Sequence, residues 1–325
     1  MRKFCIHIIL FTVILVALIF IVGQFDHIDR DDLNSDMNIR RLSIQRQSDS
    51  LDILFAGSSY VYSGIDPLVF DSAGIRSFNL GTAAAGPYFT QLVVDNYLRN
   101  AKRAPKAVFC LLSPNLFLES MDDFKSYPVH RYLQPAMTNA AITRQFSLGA
   151  RAYAELTLNS FRKGLVNIFR IRSHTPNAAS LSLQLHKGFY SSDEITTEAK
   201  EKEEAPAMAW MRTAAFSGRK ASALMDWAAQ LRERGIEPVF FQLPSNKLEQ
   251  FFSTRYLQSF DSLRSRIAQN YLLLDPPAAG PHEFRNSDHL NRYGAALASY
   301  ELLRQIDSNS RLRKLLRTDE QGARN

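Results

Sequence analysis

The strongest hydrophobic pattern in the chain is an uncharged stretch of twenty residues at 4–23, FCIHIILFTVILVALIFIVG. A helix of this length extends about 30 Å at about 1.5 Å per residue, which matches the hydrocarbon core of a bilayer. Arg2 and Lys3 precede the stretch, and aspartates are frequent directly after it. Because positive charge stays on the cytoplasmic side, we expect a single-pass segment with its N-terminus in the cytoplasm.

Two alternatives to a retained anchor are a cleaved signal peptide and a buried core helix. A signal peptide usually has a shorter apolar core followed by small residues at a cleavage site. Residues 21–25, IVGQF, contain no good site of that kind. We therefore predict a cytoplasmic tip and transmembrane anchor at 1–25 and a polar stalk at 26–50.

Beyond the stalk, short apolar runs alternate with stretches of helical periodicity. This alternation predicts a parallel sheet covered by helices on both faces. The predicted strands are 51–56, 76–80, 107–112, 238–243 and 271–274. The predicted helices are 67–73, 88–100, 220–234, 248–269 and 292–305.

The predicted domain occupies 51–310, followed by a flexible tail at 311–325. More than a hundred residues separate the third and fourth strands, far above the usual connection length. We interpret 120–215 as a mostly helical insertion that could cover a site. The charged run within it, at 196–204, is typical of a solvated segment.

Composition then narrows the class of protein. Apolar residues make up 46% of the chain, and 39 basic against 32 acidic residues give a net charge of +7. These values exclude whole-chain disorder, collagen and a disulfide scaffold. The two cysteines, Cys5 and Cys110, fall in the apolar stretch and in a predicted buried strand, so we expect no disulfide between them.

Positive charge is concentrated in residues 96–172, which hold 12 Lys and Arg against 4 Asp and Glu. Within this region, residues 161–172 mix basic and apolar positions. One interpretation is an amphipathic helix packed on its own domain, and the other is a patch for an anionic polymer or lipid headgroups. We expect no nucleic-acid partner, because no nucleic-acid motif is present.

Candidate chemistry collects where the predicted strands end. In parallel sheets, ligands bind at the carboxyl ends of the strands. The tripeptide ending at Ser59 follows the first strand, Gly81 follows the second and Asn115 lies just after the third. A serine at a strand-to-helix turn can expose its hydroxyl, although Gly and Ser are also ordinary turn residues.

A second candidate segment, Asn-Ser-Asp-His-Leu-Asn at 286–291, follows the fifth strand and is itself followed by Gly294. A serine nucleophile needs a base within hydrogen-bond reach, and histidine is the usual base near neutral pH. His289 is therefore the candidate base for Ser59.

Other site types find little support in the sequence. A metal site could draw on His282, Glu283, Asp288 and His289, but their spacing matches no zinc motif. The sequence also contains no P-loop and no glycine-rich dinucleotide fingerprint. We expect neither a metal nor an organic cofactor.

Taken together, these blocks resemble the SGNH (GDSL-like) hydrolase and acyltransferase superfamily over about 51–115 and 236–305. Within it, the chain is most similar to membrane-anchored bacterial members, relatives of alginate O-acetylation and teichoic-acid D-alanylation proteins. The matching blocks are Gly57-Ser58-Ser59, Gly81, and His289-Leu290-Asn291 with Gly294. The segment at 113–115 lies at the third block without its usual Gly-x-Asn form.

The resemblance implies a flavodoxin-like three-layer fold with a five-stranded parallel sheet, and a Ser59 nucleophile with His289 as base. It also implies oxyanion donors at Ser59, Gly81 and Asn115. One departure concerns Asn286, which stands where the family carries the aspartate that supports the histidine. Either Ser59 and His289 form a dyad with weaker support from Asn286, or Asp288 substitutes for the missing acid.

The implied function is an O-acyltransferase or esterase acting on an envelope polysaccharide or glycolipid, with a membrane-embedded acyl donor as a further partner. The implied location is the bacterial cytoplasmic membrane, with the main domain in the periplasm or outside the cell. Two alternatives stay open: a degenerate relative that binds polysaccharide or scaffolds an assembly, and an anchored structural protein with a chance motif. Transfer and hydrolysis use the same residues, so the sequence does not separate them.

Overall fold

The structure is a computed structural model. It describes residues 2–24, 51–83, 85–119, 149–169, 187–197, 206, 208–246 and 248–317. These residues belong to two compact units: one takes in 1–38 and 124–177, and the other takes in 39–123 and 178–325. The predicted stalk therefore lies outside the described residues, as does most of the predicted insertion.

The elements follow the predicted alternation closely, with most strand ends shifted by one or two residues. The helices are α1 Arg2–Gln24, α2 Ser59–Gly64, α3 Pro67–Ser72, α4 Pro87–Asn100, α5 Ala150–Phe169, α6 Gly218–Glu233, α7 Thr254–Asn270, α8 Arg292–Ser308 and α9 Ser310–Arg317. The strands are β1 Ile53–Ala56, β2 Ser77–Asn79, β3 Ala107–Leu111, β4 Glu237–Phe241 and β5 Leu272–Leu274. Short 3-10 helices occupy Pro114–Phe117, Ala209–Thr213, Leu248–Phe251 and Pro281–Glu283.

The five strands form one parallel sheet in the order β2-β1-β3-β4-β5. This is the flavodoxin-like order, so the predicted α/β class is confirmed. The order reverses between β1 and β3, since the chain moves outward from β1 to β2 and then returns past β1. A crevice at such a switch point, beyond the carboxyl ends of the strands, is where open α/β sheets bind ligands.

The helices of the second unit connect the parallel strands and cover both faces of this sheet. On one face α8 packs against α2 and α3, and on the other α6 packs against α4. Strands β1 and β3 are buried on both sides, which explains why they read as continuous apolar runs rather than alternating ones. Phe55 anchors the core, with ring centroids 4.7 Å from Phe70 and 5.3 Å from Phe109.

The first unit consists, in its described part, of α1 and α5, which pack against each other. A Cβ built on Gly164 would lie 2.0 Å from the carbonyl oxygen of Val22, so only glycine permits this approach of the two backbones. The basic and apolar residues of 161–169 thus belong to a helix packed against α1, while 170–172 lie outside the described residues.

The N-terminal helix has the length and apolarity needed to cross a membrane. Its window Ile6–Gly23 has a mean hydropathy of 3.0 with 6% of the window buried, and among the described helices it is the one that meets this criterion. This statement rests on the length and the composition of the helix.

The predicted tail at 311–325 differs from the structure over its first part. Helix α9 continues to Arg317, and Leu312 and Leu316 on its inner face are buried. Arg317 also binds Asp307 at 2.7 Å, and Arg311 binds Glu237 at 2.6 Å. The prediction of a flexible tail was wrong for 311–317, because a short amphipathic helix was not recognised among its many charges.

Candidate active site

The serine candidate lies on the sharp turn between β1 and α2. Ser58 is the N-cap of α2, and its hydroxyl accepts a hydrogen bond from the N–H of Tyr60 at 3.4 Å. A Cβ on Gly57 would lie 2.6 Å from the Cβ of Leu111 and 2.7 Å from Val61, so the turn requires glycine there. As the first residue of α2, Ser59 has a backbone N–H without a partner inside that helix.

Gly81 lies beside this turn because the end of β2 continues to pair with the end of β1. Thr82 N–H donates to the carbonyl of Gly57 at 2.9 Å. A Cβ on Gly81 would meet the backbone nitrogen of Tyr62 at 2.3 Å, so close packing against α2 also requires glycine. The N–H of Gly81 donates to Asn79 Oδ1 at 2.8 Å, so this geometry gives no support to its predicted oxyanion role.

Asn115, the third predicted oxyanion donor, lies in the 3-10 helix after β3 and is 9% exposed. Its side-chain oxygen accepts a hydrogen bond from the Ser113 hydroxyl at 2.8 Å. Because Asn115 Oδ1 accepts this hydrogen bond, the other polar atom of the amide, Nδ2, is the donor. Its role in catalysis stays a prediction.

The histidine candidate lies in a loop, 284–291, that is closed by an antiparallel bridge between Phe284 and Leu290. Asn291 anchors the loop to α8, because its side-chain oxygen accepts from the N–H groups of Tyr293 and Gly294 at 3.0 and 3.1 Å. A Cβ on Gly294 would lie 2.2 Å from the carbonyl oxygen of Glu283. The asparagine and glycine of the last block therefore hold the loop against the helix.

The fold brings Ser59 and His289 together although 230 positions separate them in the chain. Ser59 Oγ lies 2.7 Å from His289 Nε2, within hydrogen-bond distance. On the other side of the ring, Nδ1 lies 2.5 Å from Asp288 Oδ1. An ionised carboxylate only accepts hydrogen bonds, so Nδ1 carries the ring proton and Nε2 accepts from the serine hydroxyl.

Asn286 has a different place in the loop. Its side-chain oxygen accepts from the backbone N–H groups of Asp288 and His289 at 3.2 and 2.7 Å. The same oxygen is 3.2 Å from His289 Nδ1, farther than the Asp288 carboxylate. Of the two alternatives for the histidine partner, the geometry favours Asp288, with Asn286 bracing the backbone of the loop.

Asp288 is held in its charged form. Burial by itself would raise its pKa, but hydrogen bonds from His289 and Tyr60 and the charges of His289 and Arg285 lower the pKa below its usual value. The side chains of Asp288 and His289 are 14% and 15% exposed, so water screens this pair only weakly.

A cavity of about 300 Å³ lies at the carboxyl ends of β3 and β4, and Tyr60 is the residue of the serine turn that lines it. Its wall combines polar and apolar groups, including Tyr60, Ser113, Gln242, Ser245, Glu249 and Pro276. This volume is at the lower end of the range for small-molecule sites, about 300–1,000 Å³. The arrangement thus offers a hydroxyl, a base, a carboxylate and an adjacent space.

Comparison with known proteins adds little to this geometry. No protein-family model and no curated protein matches the chain. Among solved structures, one match is an acetyl xylan esterase (Est2A) from the rumen bacterium Butyrivibrio proteoclasticus, with 10% identity and a TM-score of 0.34. The alignment covers 80% of this chain and 64% of that one, so this chain spans less than two thirds of the esterase. Likeness at this level does not establish a shared activity.

Two features of the site were missed in the sequence. One is Tyr60, and its position directly after Ser59 was the available signal. The other is 187–197, which joins both halves of the site: Tyr190 N–H donates to the carbonyl of Tyr62 at 2.9 Å, and Thr196 N–H donates to that of Phe284 at 2.7 Å. No sequence pattern marks these backbone contacts.

The residues of the rejected metal interpretation have other contacts. Glu283 accepts a hydrogen bond from the N–H of Gly280 at 2.7 Å, and the backbone carbonyl of His282 accepts from Asn291 at 2.7 Å. Within the part of the chain that the structure describes, no three His, Cys, Asp or Glu side chains are grouped to hold a metal ion.

Proposed function

We propose that this chain is a membrane-anchored serine esterase or O-acyltransferase that works through an acyl-enzyme on Ser59. The observation that carries the proposal is the continuous contact from Ser59 Oγ to His289 Nε2 at 2.7 Å and from Nδ1 to Asp288 at 2.5 Å. A nucleophile, a base and an oriented acid in this order form the arrangement used for nucleophilic acyl transfer.

In the first step, His289 Nε2 takes the hydroxyl proton while Ser59 Oγ forms a bond to the ester carbonyl carbon. The tetrahedral intermediate then collapses, the bond from carbon to the leaving oxygen breaks, and His289 returns its proton to that oxygen. In the second step, water or an acceptor hydroxyl gives its proton to His289 and attacks the acyl carbon. Ser59 Oγ leaves and regains the proton, and Asp288 stabilises the imidazolium in both steps.

The developing oxyanion needs hydrogen-bond donors in a fixed position. We assign this role to the backbone N–H of Ser59 and to the side-chain amide of Asn115, whose oxygen is already bound by Ser113. Gly81 contributes in a different way, by letting β2 pack against α2 without a side chain between them. One donor of this kind is worth about 10²–10³ in rate in a serine protease.

The proposed substrate is an ester on, or destined for, an envelope polysaccharide or glycolipid. Two features of the chain support this substrate class: the apolar helix α1, which begins with Arg2 and Lys3, and the resemblance to membrane-anchored SGNH proteins. An N-terminus in the cytoplasm would place the catalytic unit on the outer side of the cytoplasmic membrane. A membrane-embedded donor protein could then supply the acyl group.

The test uses the full chain in detergent with p-nitrophenyl acetate as the probe ester. We expect wild type to release p-nitrophenol and Ser59→Ala to lose at least about 10³-fold in kcat/KM, because the acyl-enzyme cannot form. The matched control is Ser72→Ala. In wild type, the hydroxyl of Ser72 donates to the carbonyl of Val69 on α3. Full turnover in Ser59→Ala would overturn the proposal, and an inactive wild type would favour a polysaccharide-binding or scaffolding role.

A further inference from the structure

Tyr60 contacts both the candidate base, His289, and the carboxylate that binds it. Its ring is stacked on the imidazole of His289, with centroids 5.0 Å apart and 16° between the planes. Its hydroxyl donates a hydrogen bond to Asp288 Oδ2 at 2.9 Å. Tyr60 is 5% exposed, so a buried phenol lies against a carboxylate whose side chain is 14% exposed.

We propose that Tyr60 is a positioning residue that holds the Asp288 carboxylate in place for His289. The inference rests on the proposed acyl-transfer function and deepens it. Tyr60 does not contact the Ser59–His289 hydrogen bond itself, and its effect reaches the reaction through Asp288.

The need for such a residue follows from the place of Asp288 in the chain. Asp288 directly precedes His289, and adjacent residues do not share a helix or strand face that would direct one side chain onto the other. The carboxylate has two oxygens, of which Oδ1 contacts His289 and Oδ2 contacts Tyr60. With both oxygens bound, the plane of the carboxylate is fixed, whereas one bond would leave it free to rotate.

The phenol is suited to remain a donor. Burial, together with the charge of Asp288 and the hydrogen bond to it, raises the pKa of Tyr60 well above its ordinary value. The phenol therefore keeps its proton throughout the working range of a serine esterase. The groups that face Asp288 are then His289, Tyr60 and the charge of Arg285, all of which favour its ionised form.

The position of Tyr60 also couples the two halves of the site. Ser59 and Tyr60 are consecutive residues of α2, and together they contact both ends of the histidine assembly. Ser59 meets Nε2, while Tyr60 meets the carboxylate that binds Nδ1. A shift of α2 would therefore move the nucleophile and the support of the base at the same time.

The experiment compares wild type with Tyr60→Phe, which keeps the stacked ring and removes the hydroxyl. We expect kcat/KM for p-nitrophenyl acetate to fall about tenfold, because the Asp288 carboxylate loses a charged hydrogen bond that orients it. The acid limb of the pH profile should move up by about one pH unit, because a carboxylate without this donor stabilises the protonated form of the base more strongly. In an Asp288→Asn background the same change should have almost no further effect, since Tyr60 acts through Asp288.

The matched control is Tyr271→Phe, at the opposite end of the sheet. In wild type, the hydroxyl of Tyr271 donates to the carbonyl of Met225 at 3.5 Å. Its rate and pH profile should equal those of wild type. If Tyr60→Phe fails to fold, 3-fluorotyrosine at position 60 replaces it. Its more acidic phenol is a stronger donor and should move the acid limb downward.

The outcomes separate this inference from the proposed function. An active wild type with an inactive Ser59→Ala, but with rate and acid limb unchanged in the Tyr60 variants, would overturn the positioning role and leave the function standing. An equal loss on Tyr60→Phe in the Asp288→Asn background would also overturn it. A wild type without esterase activity would remove the function itself.

Discussion

The two halves of the candidate site, the serine turn at 57–60 and the histidine loop at 284–291, are held by different means. Backbone packing holds the serine turn: glycines at 57 and 81 allow β1, β2 and α2 to approach within distances that a Cβ would block. Side chains hold the histidine loop, where Asn286 accepts two backbone N–H groups and Asn291 accepts two more.

This difference tells us which changes each half tolerates. The turn depends on the absence of side chains at two positions, so adding a methyl group there should disturb it. The loop depends on particular oxygens, so removing or exchanging an oxygen should disturb it. Substitutions in the turn and in the loop test this difference.

The largest effect is expected for Asp288→Asn in the loop. The amide keeps the shape of the side chain but cannot stabilise the imidazolium, and it no longer fixes the proton on Nδ1. The equivalent change in a serine protease triad costs about 10⁴ in rate, and we expect a loss of that order in kcat/KM for p-nitrophenyl acetate. A loss below about tenfold would show that Asp288 is not the supporting acid.

A middle-sized effect is expected for Gly81→Ala beside the serine turn. The added Cβ would lie 2.3 Å from the nitrogen of Tyr62, so α2 must move and Ser59 must move with it. We expect a loss of about 1–3 kcal/mol in unfolding free energy, measured by chemical denaturation, together with reduced activity. Gly218→Ala is the control, because its Cβ meets nothing within 4 Å. Equal stability of both variants would contradict the packing role of Gly81.

The smallest effect is expected for Asn286→Asp. A carboxylate oxygen still accepts the N–H groups of Asp288 and His289, so the brace is kept and the change in kcat/KM should stay below about tenfold, or about 1.4 kcal/mol. Any change should be a loss, because a second negative charge beside Asp288 raises the pKa of that carboxyl. A clear gain in rate would instead support the dyad hypothesis, in which Asn286 is a weak substitute for the acid.

Much of the fold follows from the local pattern of apolar and polar residues. Short apolar runs such as 107–112 are buried on both faces, and only a parallel sheet covered by helices accommodates them. The tail was harder to predict, because α9 is short and half of its residues are charged, and the burial of Leu312 and Leu316 is seen only in the folded second unit.

The residues of the site could be predicted from the sequence, but not every contact between them. Ser59 follows β1, and the loop with His289 follows β5, so the parallel sheet directs both segments to its carboxyl edge. The choice between Asn286 and Asp288 depends on side-chain directions within a loop, where sequence spacing gives no rule. Tyr60 becomes significant only through Asp288, a partner 228 positions away.

The central claim is that Ser59 is an activated nucleophile, and the most direct test is to map the adduct of a fluorophosphonate probe on the full chain by mass spectrometry. The account predicts one phosphonyl group on the peptide that contains Ser59 in wild type, and much slower labelling of that peptide in Asp288→Asn. An unmodified Ser59 peptide in wild type, or labelling at the same rate in both proteins, would contradict it.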